Sequence, residues 1–392
     1  MCARMKYRTD DIVPPPIVGL SEAAKRYFGS SNFIDLGQGL PGHIPPRSVL
    51  NAFSERMFHP ATHRYTTDQG YLELREELAL YLRKMSGVDV DPQAELIITA
   101  GGNQAFVGTV FTLINSGDNV VVPSPFYFNS VMAIQLAGGS VTEVPVKEEY
   151  MPRPSDIGDA IGPHTKAILI ISPNNPTGSV YSQKVVDEIL DICLERDIML
   201  ISDEAYARLV FSGAQHYSPK RRRDAGNHVI LLGSFSKDFG MSGWRVGYTA
   251  GPPEFMEEFL KVQDTISICA PTASQLLALE ALKSDNTWVE EELTRLGMLR
   301  ELAYMRAREI DALETAETKG TFYLFPRVRG CTNSRALALN ILQETETLVL
   351  PGSIFGASGE GHIRISIGPL TPDAVDEAFN RLDKFFANYR SE

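Results

Sequence analysis

The 392-residue sequence has few of the features that mark secreted, membrane-embedded or disulfide-stapled proteins. Its cysteines form no Cys-x-x-Cys pair, which favours neither a zinc site nor a disulfide framework; they are Cys2, Cys193, Cys269 and Cys331. No apolar run reaches the roughly 18 residues of a membrane helix, and no apolar core follows the first charged residues as in a signal peptide. We therefore expect a protein of the reducing cytoplasm that contacts no membrane.

The sequence also has fewer basic than acidic residues. Lys and Arg total 37 against 49 Asp and Glu, which gives a formal net charge of -12. Because nucleic-acid binding depends largely on neutralising phosphates, this balance predicts no nucleic-acid partner. The basic run Lys220-Arg221-Arg222-Arg223 contains no aromatic residues between its charges, and its pattern is typical of a solvated loop.

The histidines offer no clear metal site. His59 and His63 lie four residues apart, as two ligands on one helix face would. No glutamate or third ligand accompanies them in the pattern that zinc requires. We therefore expect no metal.

Two hydrophobic periodicities alternate along the first 285 residues or so. Short apolar runs predict strands at 95–100, 119–122, 167–172, 199–202 and 229–232. Between them, helical patterns occur at 71–85, 104–113, 131–137 and 184–196. This alternation is typical of right-handed crossovers, and it predicts an α/β fold whose mostly parallel sheet is buried on both faces.

The pattern changes after about residue 285. A long charged helix is predicted at 288–313, with strands at 321–325 and 362–367 and a further helix between them. We interpret this region as a second, smaller α+β domain that part of the N-terminal segment joins. The expected division is an N-terminal arm at 1–20, a small domain of 21–48 plus 286–392, and a large domain of 49–285.

Polar residues follow several of the predicted strands, where ligands of parallel sheets gather. Ala100-Gly101-Gly102-Asn103-Gln104 opens a helix, whose N-terminus favours an anion, although a tight turn alone explains two glycines. Segment 172–178, which is rich in Asn, Pro and Gly, is also compatible with a simple turn. In segment 202–206, Asp203 could simply cap the following helix. Segment 233–247 adds two hydroxyls, a lysine and an arginine. The hydroxyls and the arginine can bind phosphate, and the lysine can form a Schiff base with a carbonyl. Together the strand ends predict one shared site.

These motifs resemble those of the class I/II aminotransferases, which are fold-type I enzymes dependent on pyridoxal 5′-phosphate (PLP). The resemblance runs from Asp35-Leu36-Gly37-Gln38-Gly39 to His362-Ile363-Arg364-Ile365-Ser366. Its most specific parts are Asn174-Asn175-Pro176-Thr177-Gly178, Asp203-Glu204-Ala205-Tyr206, Ser236-Lys237 and Gly243-Trp244-Arg245-Val246-Gly247. The resemblance implies PLP as cofactor and a large PLP-binding domain with a mostly parallel seven-stranded sheet between helices, beside a smaller α+β domain.

The resemblance also implies roles around the cofactor ring. Lys237 is expected to hold PLP as an internal aldimine and, once released, to move the substrate Cα proton. Asp203 is expected to pair with the pyridine nitrogen and keep it protonated, so that the ring withdraws electrons. Asn175 and Tyr206 are expected to hydrogen-bond the phenolic oxygen, and Tyr127 to stack on the ring. Lys237, Asp203 and Tyr206 form the predicted catalytic set.

Further residues are assigned by the same resemblance to the phosphate, the substrate and a second subunit. The expected phosphate ligands are Gly101, Gly102, Asn103, Ser234, Ser236 and Arg245. Arg364 is expected to bind the substrate α-carboxylate with two hydrogen bonds, helped by Asn175 and the backbone at Gly39. Tyr65 matches a tyrosine that reaches the phosphate of the neighbouring subunit, which implies a homodimer with shared active sites.

The implied reaction is amino-group transfer between an L-amino acid and a 2-oxo acid, a step of amino-acid metabolism and biosynthesis. An alternative stays open because fold does not settle chemistry. Segment 234–240 resembles the SLSKDLG run of 1-aminocyclopropane-1-carboxylate synthases, so a PLP-dependent lyase or cyclase that performs β- or γ-elimination is the second hypothesis. Asn-Pro-Thr-Gly at 175–178 and Gly243-Trp244 favour an aminotransferase.

Substrate preference is the least constrained property. Asp10 and Asp11 in the N-terminal arm could meet a basic amino acid, although a solvated acidic arm is the favoured interpretation. No second arginine is identifiable for a dicarboxylate, which disfavours a strict aspartate preference. A PLP-sensing transcription regulator is disfavoured, because about 30 residues before the first motif are too few for a DNA-binding domain.

Overall fold

The structure is a computed structural model that describes residues 5–10, 12–14, 17–146 and 149–389. Its strands are β1 Ile34–Asp35, β2 Leu96–Thr99, β3 Asn119–Ser124, β4 Ser140–Pro145, β5 Thr165–Ile171, β6 Met199–Asp203, β7 Val229–Ser234, β8 Gly247–Ala250, β9 Leu313–Glu314, β10 Tyr323–Leu324, β11 Arg327–Val328, β12 Thr347–Leu348, β13 Leu350–Pro351 and β14 Ile363–Ser366. Its α-helices are α1 Val18–Ala24, α2 Arg47–Met57, α3 Leu72–Ser86, α4 Gly102–Leu113, α5 Phe128–Ala137, α6 Pro154–Asp159, α7 Gln183–Arg196, α8 Phe235–Asp238, α9 Pro253–Ser267, α10 Thr272–Lys283, α11 Thr287–Arg308, α12 Ser334–Thr345 and α13 Pro372–Asn388.

A seven-stranded sheet in the order β2-β8-β7-β6-β5-β3-β4 organises the larger part of the molecule. β8 runs antiparallel to both β2 and β7, and the other neighbours are parallel. The predicted mostly parallel α/β sheet is therefore confirmed. Pattern alone did not identify β4 or β8, since β4 is a partly exposed edge strand with polar residues and β8 is a short segment containing glycine.

Both faces of the sheet are buried under helices. In β3, Val120 and Val122 pack with α4 and α5, whereas Val121 between them packs with α7. Successive strand residues point to opposite faces, so a strand covered on both sides must be apolar at every position. This requirement explains why β3, β5, β6 and β7 appear in the sequence as continuous apolar runs.

A separate hydrophobic cluster lies in the remainder of the chain. It packs α11, α12 and α13 around the three-stranded sheet β10-β14-β13, and it includes Leu36 from the N-terminal segment. β1 pairs in parallel with β12, which joins residues 34–35 to the C-terminal region. This grouping supports the predicted large and small domains, and we retain that division as a proposal. Asp11, Pro15 and Pro16 of the predicted arm lie outside the described residues.

Two local predictions need correction. The helix expected at 288–313 ends at Arg308, because Leu313 pairs with Val328 in β9–β11 instead of extending the helical stripe. The basic run at 220–223 is a solvated loop only in part, because Arg221 and Arg223 are exposed but the other two residues are paired. Lys220 approaches Glu95 at 3.2 Å, and Arg222 approaches Asp191 at 2.6 Å, so ion pairs hold the run against the protein. Within the described ranges, no helix is long and apolar enough to span a membrane.

Candidate active site

A cavity of about 660 Å³ lies where the carboxyl ends of β5, β6 and β7 meet the N-terminus of α4. Most of the predicted site residues line it: Gly39, Gly102, Asn103, Tyr127, Asn175, Asp203, Tyr206, Ser234, Ser236, Lys237, Arg245 and Arg364. Gly101 directly precedes this lining at the start of α4. Tyr65 does not line the cavity and is 78% exposed on the surface of the chain. Asp10 accepts a hydrogen bond from the Tyr7 amide at 2.9 Å and is not part of the lining, and Asp11 lies outside the described residues.

Lys237 projects into the cavity from the short helix α8, directly after β7. Ser234 begins this turn by accepting a hydrogen bond from the Ser236 amide at 3.1 Å. The Lys237 amine donates to the Gly39 carbonyl and lies 5.8 Å from the centre of the Tyr206 ring. Burial, reinforced by the nearby charges of Arg364 and Arg245, lowers the pKa of Lys237 to about 8. A lysine of this kind is neutral more often near pH 7 than an ordinary lysine, so it is a better nucleophile.

Asp203 is the last residue of β6. One of its carboxylate oxygens, Oδ1, accepts a hydrogen bond from the Ala205 amide at 3.1 Å. Burial is the main cause that raises the pKa of Asp203 to about 6. A buried carboxylate that is costly to ionise is well suited to a cationic partner, which would favour its charged form.

Arg245 and the start of α4 form a cradle for an anion. Gly101 has a φ of +84°, which strains any residue with a side chain, and a Cβ there would also meet Nη2 of Arg245, so glycine suits this approach. Nη1 of Arg245 donates to the Ser242 carbonyl at 2.9 Å and to Oγ of Ser236 at 3.4 Å. A guanidinium, a hydroxyl and a helix N-terminus together provide the donors that a phosphate group requires.

Arg364, in β14, provides a buried cation in the same cavity. Its side chain is almost fully buried, at 3% exposure. Nη1 donates to Oδ1 of Asn175 at 3.1 Å, and Nη2 donates to the Gly37 carbonyl. Both partners are neutral, and Nε has no hydrogen-bond partner among the described residues. A bound carboxylate would neutralise this charge.

Tyr323 is a site residue that the sequence did not reveal. Its hydroxyl lies 2.8 Å from the Tyr206 hydroxyl, and its ring centre is 4.5 Å from the Arg364 guanidinium carbon. It therefore supports two predicted site residues at once. In the sequence it stands within the apolar run Phe322-Tyr323-Leu324-Phe325, which signals only a buried strand.

Comparison with known proteins places this geometry in a family. The model of the family described as aminotransferase class I and II matches residues 31–382. An aromatic-amino-acid aminotransferase 2 of Thermococcus litoralis is 34% identical over 382 residues, covering 96% of this chain and 97% of that protein. An aspartate aminotransferase of Pyrococcus abyssi is 34% identical over 386 residues, covering 97% of both. The crystal structure of an aromatic aminotransferase from Pyrococcus horikoshii has a TM-score of 0.87 and 34% identity, covering 94% of this chain and 98% of its own.

The chain belongs to the class I and II aminotransferase family, whose members depend on PLP. The predicted family, the fold-type I architecture and the assignment as an aminotransferase are thereby confirmed. The alternative of a lyase or cyclase is not favoured, because these relatives are named aminotransferases. The roles of individual site residues remain predictions.

Proposed function

We propose that this aminotransferase binds PLP in the 660 Å³ cavity and moves an amino group between an L-amino acid and a 2-oxo acid. The observation that carries the proposal is the presence of an amine of lowered pKa, a buried carboxylate and a buried guanidinium in one cavity. These groups are Lys237, Asp203 and Arg364. PLP, when bound, supplies a reactive carbonyl carbon and an electron-withdrawing ring.

The cavity suits each part of this cofactor. Lys237 would hold it covalently, and Asp203 would face the pyridine nitrogen. Asn175 and Tyr206 would hydrogen-bond the phenolic oxygen, and Tyr127 would pack against the ring. The phosphate would lie against Gly101, Gly102, Asn103, Ser234, Ser236 and Arg245. The fit is supported by the glycine-dependent approach of Arg245 to α4 and by the buried Asp203, which lacks a cationic partner within the described part of the chain.

Substrate turnover would use the same residues in a second capacity. Arg364 would bind the substrate α-carboxylate, together with Asn175 and the backbone at Gly39, and so orient the Cα–H bond. The Lys237 amine, once free, would accept the Cα proton as a general base and later donate it as a general acid. A pKa of about 8 allows this amine both to take and to give a proton near neutral pH.

The remaining lining favours an apolar or aromatic substrate side chain. It includes Ile17, Phe28, Phe128, Leu348 and Leu350. The cations of the described lining are Lys237, Arg245 and Arg364, and each already has a proposed partner. A second carboxylate on the substrate would therefore find no further cation among the described lining residues of the same chain.

The function is tested by incubating the holoenzyme with a panel of L-amino acids, with and without 2-oxoglutarate. We expect 2-oxo acid and glutamate to appear in equal amounts, with aromatic and large apolar amino acids used best. The assay scores 2-oxo acid, glutamate and ammonia in the same samples. Release of ammonia without an acceptor would contradict amino transfer and indicate a lyase or deaminase.

We further propose that the enzyme is a homodimer in which Tyr65 reaches the phosphate in the partner's cavity. Tyr65 is 78% exposed, and Phe58, seven residues earlier in the chain, is 88% exposed. Ile44 is 72% exposed in the same N-terminal part of the chain. Large apolar side chains exposed to this extent are typical of a surface that a second molecule covers.

A cytoplasmic location is proposed as well, supported by the free thiols of Cys193, Cys269 and Cys331.

The shared site predicts complementation between two inactive variants. Tyr65→Ala and Lys237→Ala homodimers should each be nearly inactive, whereas subunits mixed and reassembled should recover about a quarter of wild-type activity. Half of the random dimers are hybrids, and each hybrid has one site with both defects and one intact site. Mixing without subunit exchange is the control. If hybrid dimers form and recover nothing, Tyr65 does not act in the partner's site.

A further inference from the structure

We propose that Glu204, His216 and Ser218 form a positioning cluster that holds Asp203 in the direction needed to face the cofactor ring. The inference rests on the proposed function, because it assigns a purpose to the residues behind Asp203. None of the three belongs to the predicted site. The cluster lies on the far side of β6 from the active-site cavity.

The end of β6 presents consecutive residues to two different cavities. Asp203 lines the 660 Å³ cavity of the active site. Glu204 lines a second cavity of about 480 Å³, together with His216. The same division occurs at the catalytic lysine, since Lys237 lines the first cavity and Asp238 the second. Glu204 and Asp238 of the second cavity are thus direct chain neighbours of Asp203 and Lys237, the two residues on which the proposed chemistry depends.

Glu204 is held by three side chains. Oε1 accepts hydrogen bonds from Oγ of Ser202 at 2.9 Å and from Oγ of Ser218 at 2.6 Å. Oε2 lies 2.8 Å from Nε2 of His216, and the side chains of this pair are 3% and 6% exposed. Hydrogen bonds to a buried charged group are stronger than those between neutral groups, so the carboxylate has little freedom to move.

This restraint passes to Asp203 through the backbone. The Glu204 amide donates to the Leu232 carbonyl at 2.8 Å, and the Ser172 amide donates to the Asp203 carbonyl at 3.1 Å. These bonds extend the sheet by one residue beyond β6. The Asp203 carboxylate itself accepts, within the described part of the chain, only the bond from Ala205. Its direction therefore depends on how rigidly the backbone at 203–204 is held.

Charge gives the cluster a second effect on Asp203. The Glu204 carboxylate is one of the causes that raise the pKa of Asp203, although burial is the larger one. His216 faces this negative charge, because its Nε2 is the partner of Oε2 of Glu204. The other titratable groups that line the second cavity are Tyr81, Arg208, Arg221, Asp238, Tyr248 and Glu290. They are left unchanged in the variants below.

The test uses holoenzyme variants desalted between pH 5 and pH 8, with the retained PLP measured by absorbance. His216→Phe removes the partner of Oε2 of Glu204 and leaves that oxygen unpaired beside Asp203, so we expect the midpoint of PLP retention to move up by about one pH unit. We also expect kcat to fall about tenfold, with KM for the amino acid little changed, because Arg364 is untouched. Glu204→Gln keeps an acceptor for both serines and removes the charge, so its midpoint should equal the wild-type value or lie below it.

The double variant Glu204→Gln/His216→Phe should restore the wild-type midpoint, because no unpaired charge remains. His228→Phe is the matched control, since His228 also pairs with a carboxylate, that of Asp197 at 2.9 Å, but outside both cavities. An unchanged midpoint in His216→Phe, an equal shift in His228→Phe, or a shift that persists in the double variant would overturn the proposal. Failure of the wild-type protein to retain PLP or to transaminate would instead refute the proposed function.

Discussion

Replacing Lys237 by alanine is expected to lower the rate of transamination at least about 10³-fold, because the variant loses both the covalent attachment and the proton-transfer group. The lysine amine is buried, donates to the Gly39 carbonyl and has a pKa lowered to about 8. No other lysine lines the described cavity. Single-turnover assays with an amino acid and the holoenzyme measure the loss directly.

Two controls separate chemistry from folding in this variant. Lys237→Arg keeps a positive charge near Arg245 and Arg364 but cannot form the attachment, so it should be equally inactive. Borohydride treatment of the wild-type holoenzyme, followed by peptide mass spectrometry, should place the cofactor on Lys237. Normal turnover by Lys237→Ala, or a label on a different lysine, would show that the catalytic residue is misassigned.

Replacing Asp203 by asparagine is expected to lower kcat by about 10²- to 10³-fold, because a neutral amide cannot stabilise a protonated pyridine nitrogen. Asparagine keeps the side-chain oxygen that accepts from the Ala205 amide at 3.1 Å, so the local backbone should be unchanged. Steady-state kcat and KM measure the effect. A variant with kcat within threefold of the wild-type value would contradict the role of this carboxylate.

The Asp203→Asn substitution is also expected to raise the free energy of unfolding of the cofactor-free protein. The pKa of Asp203 is raised from the ordinary value of 3.8 to about 6. The folded protein therefore binds this proton more tightly than the unfolded chain does, and stability falls as pH rises from about 4 to about 6. Above that range the ionised carboxylate costs the folded state about 3 kcal/mol, and asparagine removes this cost.

Urea unfolding of the cofactor-free proteins at several pH values measures this difference. At pH 7.5 the Asp203→Asn variant should have the higher free energy of unfolding, and at pH 4 the two proteins should be equal. The measurement at pH 4 is thus an internal control. Equal stability at both pH values would mean that water or a counter-charge already compensates the buried carboxylate.

The strand-end motifs could be predicted from the sequence because their signals are local. Asp203, Asn175 and Lys237 each follow a continuous apolar run, and such runs are produced by burial on both faces of a parallel sheet. Parallel strands bring their carboxyl ends to one edge, so residues far apart in the chain were expected to meet there. The structure places all three in the lining of one cavity.

Other parts of the molecule carry no comparable local signal. Tyr323 stands in an apolar strand, and its contact with Tyr206 follows only from the packing of the C-terminal sheet against the segment that follows β6. The ion pairs of Lys220 and Arg222 depend on acidic residues elsewhere in the chain. A basic run in a sequence looks the same whether its partners are solvent or carboxylates.

The sequence by itself determined the family and the mostly parallel sheet, and it predicted the chemically reactive residues, since each of these depends on spacing within a short stretch of chain. Tertiary structure alone decided the environment of those residues. The lowered pKa of Lys237, the raised pKa of Asp203 and the three partners of Glu204 arise from burial and from groups brought together across the fold. Desolvation and electrostatic interaction depend on distance in space, which no one-dimensional pattern records.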